Sequence, residues 1–227
     1  RIADRSISII GILSCLIIVI TSASSGPLMA FVMSLIAFSF WFFRDRMKEV
    51  RWGILLTLIS LHIFMKAPVW FLIAKMSDII GGGGWHRSFL INQAIVYARE
   101  WWLIGTKSTQ HWLPYSLSIE PDFVDMTNQY IAIGVDGGIV TMVLFIMIII
   151  TCFRGLGMVQ KLDLSESLGK RFCLWSIGVS LFAHVVGFFS ISYFDQIVVF
   201  WYILIAIISA IVNMHNSVNQ EEEKFQC

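Results

Sequence analysis

The chain has 227 residues, of which 57% are hydrophobic and only 14% charged, with a formal net charge of +1 and a mean hydropathy of +0.78. Soluble domains are about half apolar and a quarter charged, and here the excess is gathered into long runs, which is the pattern of membrane helices. There is no basic stripe for nucleic acid. The four cysteines (Cys15, Cys152, Cys173, Cys227) are scattered without a CxxC, which argues against a disulfide framework and against a zinc site.

The chain opens on Arg1, close to an apolar run and without a recognisable signal peptide. It reads as a fragment lacking N-terminal membrane helices. Six apolar stretches follow: Ile7 to Ile20, Leu28 to Phe43, Trp52 to Met65, Tyr130 to Phe153, Phe172 to Phe189 and Ile197 to Val212. Each approaches the length that crosses about 30 Å of hydrocarbon at about 1.5 Å per residue. The shorter ones thin the bilayer or extend into their flanks. Ser190 to Asp195 is read as a turn, which makes the last two stretches separate spans.

Charge orients the spans. Arg44, Arg46, Lys48 and Arg51 lie between the second and third, and Arg154, Lys161, Lys170 and Arg171 between the fourth and fifth. By the positive-inside rule both segments are cytoplasmic, and Arg1 and Arg5 agree. The expected organisation is three spans over 1–65 with a cytoplasmic loop at 44–51, a periplasmic loop over 66–127, three spans over 128–212 and a cytoplasmic tail over 213–227.

The large loop has internal pattern. Ala67 to Ile80 has an apolar face and reads as an interfacial helix with Trp70 and Phe71 at headgroup level. Gly81 to Gly84 is a break. His86 to Trp102 reads as one amphipathic helix, with Ile91, Ala94, Ile95, Ala98 and Trp102 at helical spacing. Thr106 to Asp125, with Pro114 and Pro121, is irregular.

Arg87 falls on the same stripe as Ile91, Ala94 and Ala98. An inward arginine needs a partner, and its fork suits phosphate oxygens; snorkelling to water or pairing with Asp78 is the plainer alternative. Arg99 lies elsewhere on the helix, on a solvated face beside Glu100. Lys107 is a loop lysine able to reach a phosphate as a point charge. The four glycines lack the Lys-Ser/Thr of a P-loop and read as a linker. His111, Glu120, Asp122 and Asp125 are the acid/base candidates before the fourth span. Asp125 serves either as a base or as a helix N-cap. Asp136 lies inside the fourth span, where a carboxylate usually faces the bundle. Asn128 and Tyr130 are polar anchors at the mouth of that span, and His184 reads as a satisfied buried histidine.

Three stretches together carry a resemblance. Gly84-Trp85-His86-Arg87, followed by Ala94 and Trp101-Trp102-Leu103-Ile104-Gly105, is similar to an arginine-led helix ending in P-x-x-G. Thr127-Asn128-Gln129-Tyr130-Ile131, followed by Asp136-Gly137-Gly138, is similar to H-N-x-Y-L … E-x-G. Ser24-Ser25-Gly26 is similar to an S-R-G turn. In this order the stretches resemble the O-antigen ligase and polymerase superfamily, the Wzy-C-like domain, over about Ser24 to Ile150.

The resemblance implies an all-α, polytopic, GT-C-like transmembrane bundle with a large periplasmic loop, in the bacterial inner membrane. It implies transfer of a glycan from an undecaprenyl-diphosphate-linked donor to a glycan or lipid acceptor, without a metal or other cofactor. Arg87 then holds the donor diphosphate, with Arg99, Lys107 and Asn128 as further substrate-binding residues. Thr127 stands where the ligases carry histidine, and Ser25 where they carry the arginine of the turn. Both departures favour a polysaccharide polymerase over a lipopolysaccharide ligase, with Asp125 as the catalytic base. The competing expectations are a flippase or transporter, and a non-catalytic membrane scaffold.

Overall fold

The computed structural model describes residues 2–22, 25–66, 71, 84–113, 125–162 and 167–226. Among them the fold is all-helical. The expected interfacial helix over 67–80, apart from Phe71, lies outside the described residues, as do Asp78, Gly81, Gly82, Gly83, Pro114, Glu120, Pro121 and Asp122.

Helix α1 runs over Ile2–Thr21 and α2 over Ser25–Ser39. A 3-10 turn, Phe40–Arg46, leads into α3, Met47–Phe64. The segment expected as a loop at 44–51 is therefore helical. None of its residues demands a break, because glycine and proline are absent between Ser39 and Trp52. Helix α4 is Gly84–Val96, and α5 is the single turn Ala98–Trp101. A second 3-10 turn, Gln110–Trp112, precedes α6, Gln129–Leu162. Helices α7, Leu168–Gly187, and α8, Gln196–Gln226, complete the chain.

Among the described residues three helical stretches are long and apolar enough to cross a membrane: Gly26–Phe64, Gln129–Lys161 and Gln196–Ser217. The second and third stretches of the sequence reading are joined in the first of these. Apolar side chains cover the outside of the bundle, and α3 buries no residue. In water such faces would be covered by partners or core.

Two cores hold the fold. Helix α2 packs along α7, and α6, α7 and α8 pack together. Phe145, Ile149, Leu156, Leu181, Phe188, Trp201 and Ile208 fill the space between α6, α7 and α8. The second core fastens the α4–α5 segment to the N-terminal half of α6 through Leu90, Ala94, Trp101, Trp112, Met126 and Val135.

The expected single helix over 86–102 is split at Tyr97 (φ −92, ψ 19). The split lets Tyr97 stack on Trp112, with rings 5.6 Å apart and nearly parallel. It also turns Trp101 inward, where its Nε1 donates to the Ala94 carbonyl at 2.8 Å. A buried indole needs such a partner. Trp102, not Trp101, is the member of the expected stripe, and Trp102 and Ile95 are exposed.

Candidate functional site

The N-terminal half of α6 organises the site. Asn128 caps the helix: its Oδ1 accepts the Ile131 N–H at 3.1 Å, which satisfies one of the orphan donors of the first turn. Asn128 is buried. The structure thus gives this residue a capping task, and Asp125 is not the cap. Asp125 is exposed, and its carboxylate accepts the Ser192 hydroxyl at 2.9 Å.

Ser192 belongs to the turn between α7 and α8, and that turn is stitched to the start of α6. The Gln129 N–H donates to the Phe188 carbonyl at 2.9 Å, and its side-chain oxygen accepts the Tyr193 N–H. The Tyr130 hydroxyl donates to the Val185 carbonyl at 3.0 Å. Tyr193 hydroxyl and His184 Nδ1 share a hydrogen bond of 2.7 Å, so His184 is satisfied as expected. Burial pushes the Tyr193 phenol up to about 12. Gly26, buried at the start of α2, reaches the same turn: a Cβ there would stand 3.2 Å from Ser190 Oγ.

Further along, α6 is broken. Gly138 has φ 85 and ψ 177 inside the helix, a conformation essentially restricted to glycine. The break frees backbone groups, and the segment after α5 takes them up. The Ile139 N–H donates to the Trp102 carbonyl at 2.8 Å, and the Thr106 N–H donates to the Val135 carbonyl at 2.7 Å. Gly105 (φ 80) makes the close approach possible, since a Cβ there would lie 2.5 Å from the Asp136 carbonyl oxygen. Thr141 Oγ1 spans the break to the carbonyls of Ile133 and Gly138, at 3.0 and 2.7 Å. Asp136 sits at this break and is exposed, rather than turned to the bundle.

Arg87 lies one turn before the anchor residues Leu90 and Ile91 of α4. It is half-buried, and burial lowers its guanidinium below the ordinary value. Met126, next to Asp125, belongs to the same core as Leu90 and Ala94, so Arg87 and Asp125 are carried by elements anchored in one cluster. Arg99 and Lys107 are exposed. Glu100 does not turn to Arg99. Its Oε2 accepts from Trp112 Nε1 at 2.9 Å and pairs with His111 Nε2 at 2.9 Å. Desolvation raises the Glu100 carboxyl, but the bonds from Trp112 and His111 and the charge of His111 outweigh it, and the carboxyl lies below its usual value.

No family model, curated protein or solved structure matches this chain. The site is therefore read on its own chemistry.

Thr127, at the position the resemblance assigns to histidine, has a buried hydroxyl without a hydrogen-bond partner among the described residues. No group of three His, Cys, Asp or Glu side chains among the described residues is arranged to hold a metal ion. What the region offers is a half-buried cation on α4, an exposed carboxylate at Asp125, an imidazole–carboxylate pair at His111 and Glu100, and a second exposed carboxylate at Asp136. The Glu100–His111 pairing was not legible in the sequence, because eleven residues and a chain reversal separate the two. The Ser192 and Tyr193 partners of the Asp125 and Gln129 side chains lie more than sixty residues away. The only local signal for the break was Asp136-Gly137-Gly138 inside an apolar run.

Proposed function

We propose that the chain is a membrane glycosyltransferase of the O-antigen polymerase and ligase kind, more polymerase than ligase. It takes glycan from an undecaprenyl-diphosphate carrier at the periplasmic face of the bacterial inner membrane and transfers it to a growing glycan or lipid acceptor. In this reading the helices form a GT-C-like bundle and residues 66–127 lie outside the membrane. The observation that carries the proposal is convergence. Gly26 meets the α7–α8 turn, that turn is stitched to the Asp125–Tyr130 stretch at the start of α6, and the Gly84–Gly105 segment docks on the N-terminal half of the same helix. A broken helix in an apolar stretch is tolerated where protein or a polar cavity takes up the freed backbone groups.

The chemistry follows from the groups present. The acceptor hydroxyl attacks the anomeric carbon of the donor. Its proton passes to a base as the new C–O bond forms, and the bond to the diphosphate breaks with the electron pair leaving on the phosphate. Arg87 stabilises the charge that grows on that leaving group. Arg99 and Lys107 are exposed cations on the same segment and contribute to the field around it. Asp125, exposed and, among the described residues, held by a single hydroxyl, is the base. The Glu100–His111 pair is a second candidate for that role, because a carboxylate partner orients an imidazole for proton transfer.

The test is complementation of a deletion strain, with surface glycan length measured alongside protein level in the membrane. Arg87→Ala is expected to cut polymerisation about a hundredfold or more, and Asp125→Asn to abolish long chains while His111→Gln retains them. The reverse pattern for the last two transfers the base role to His111. Normal long chains from well-expressed Arg87→Ala would reject the diphosphate clamp, and unchanged glycans in the deletion strain would reject polymerase and ligase alike. The α6 break also suits a transporter, whose helices are interrupted at the substrate. Loss of Arg87 would then stop movement of the carrier across the bilayer, a step read separately in proteoliposomes.

A further inference from the structure

A second polar cluster lies at the far end of α7, fourteen residues and about 21 Å below Val185 along the helix. Trp41 packs edge-on against Trp175, with ring centroids 5.9 Å apart, and Arg44 lies over the Trp41 ring at 4.5 Å. Arg171, one turn before Trp175, is only 9% exposed. Asp45 stands between the two arginines, 3.5 Å from a terminal nitrogen of Arg171 and 4.0 Å from Arg44 Nε. Both separations exceed the roughly 2.7–2.9 Å of a charge-assisted hydrogen bond.

The cluster is left with donors. Arg44 Nε, Arg171 Nε and Trp175 Nε1 are buried and have no hydrogen-bond partner among the described residues. Arg44 places one terminal nitrogen on the Trp41 carbonyl at 3.2 Å, which leaves its Nε unanswered. Buried donors are normally paired. Three N–H groups, on two guanidiniums and an indole, call for acceptor oxygens, and the two guanidiniums for negative charge. A phosphate has both, and the arginine fork matches it. Beyond the 3-10 turn that carries Arg44 and Asp45, Lys48 and Arg51 of α3 add positive charge against Glu49. The same 3-10 turn exposes Phe42 and Phe43, 81% and 55% accessible. A ligand with a phosphate head and apolar chains fits that combination, and tryptophan is enriched at headgroup level.

We propose that Arg44, Arg171 and Trp175 form a binding site for the headgroup phosphate of an anionic lipid, in the leaflet at the basic end of the bundle. The inference rests on the chain lying in a bilayer, as proposed above, and not on glycosyl transfer, so loss of lipid binding and loss of glycan product are read separately.

Native mass spectrometry of the full chain in neutral detergent, titrated with phosphatidylglycerol, tests it. The wild type is expected to hold one lipid, with affinity falling roughly tenfold or more in Arg171→Gln and Arg44→Gln. Arg46→Gln, which removes the same charge outside the cluster, is expected to bind as the wild type does. Arg44→Gln carries the prediction alone if the buried Arg171→Gln protein is not monodisperse and helical. Wild-type affinity in Arg44→Gln, or an equal loss in Arg46→Gln, would overturn the site. Displacement of the lipid by millimolar inorganic phosphate would overturn the lipid as its ligand and leave free phosphate in its place.

Discussion

Replacing Gly138 by alanine tests whether the 102–106 segment is locked into the α6 break. An alanine Cβ at this position would stand 2.8 Å from the Leu103 carbonyl carbon and closer still to its oxygen. Both obstacles are backbone and do not swing away. Holding an L-residue in this conformation costs about 1–3 kcal/mol. If the segment withdraws instead, the Thr106–Val135 and Ile139–Trp102 hydrogen bonds are lost, at about 1 kcal/mol each. Whichever route the segment takes, docking weakens by about 2 kcal/mol, which corresponds to roughly a thirtyfold change in the open population. Hydrogen exchange measured by mass spectrometry on the full chain in detergent reads this at the Thr106 and Ile139 amides, which are expected to lose protection together. Gly53→Ala is the control, since nothing lies within 4 Å of its Cβ position; alanine there is expected to leave both amides protected and to strengthen α3 slightly. Unchanged protection of Thr106 and Ile139 in Gly138→Ala would refute the interlock.

Three further outcomes follow from the site. Asn128→Ala removes the cap of α6 and is expected to cost about 1 kcal/mol, most of it recovered in Asn128→Asp; thermal unfolding of the detergent-solubilised protein measures both. Glu100 lies below its ordinary carboxyl value of 4.5 in the fold, so its contribution is complete above that pH and fades as pH falls below it. Tryptophan fluorescence is expected to show acid loosening of the Trp112 region in that window, and Glu100→Gln to remove the pH dependence. Asp125→Asn keeps an acceptor for Ser192 and leaves an exposed side chain exposed, so its melting temperature is expected to match the wild type even where glycan product is lost; a large drop would make Asp125 structural.

The amino-acid sequence by itself determined the helical, apolar character of the chain. Runs such as Tyr130 to Phe153 and Ile197 to Val212 contain too few polar groups to form anything but helices with apolar faces, and the basic residues at their ends mark which ends lie together. It also placed Arg87 beside the stripe that anchors α4, since Ile91 and Ala94 are buried as their spacing requires. These are local properties, summed over a few turns. The tertiary structure decided everything that depends on which distant groups meet. Trp101 rather than Trp102 enters the core because Tyr97 stacks on Trp112. Asn128 rather than Asp125 caps α6, because Asp125 is drawn to Ser192 on the next turn in space. The break at Gly138 persists because Trp102 and Thr106 satisfy the backbone groups it frees. Helix periodicity follows from the order of side chains along one segment. Satisfaction of a freed carbonyl, a buried indole or a guanidinium depends on a partner whose place in the sequence no local pattern encodes.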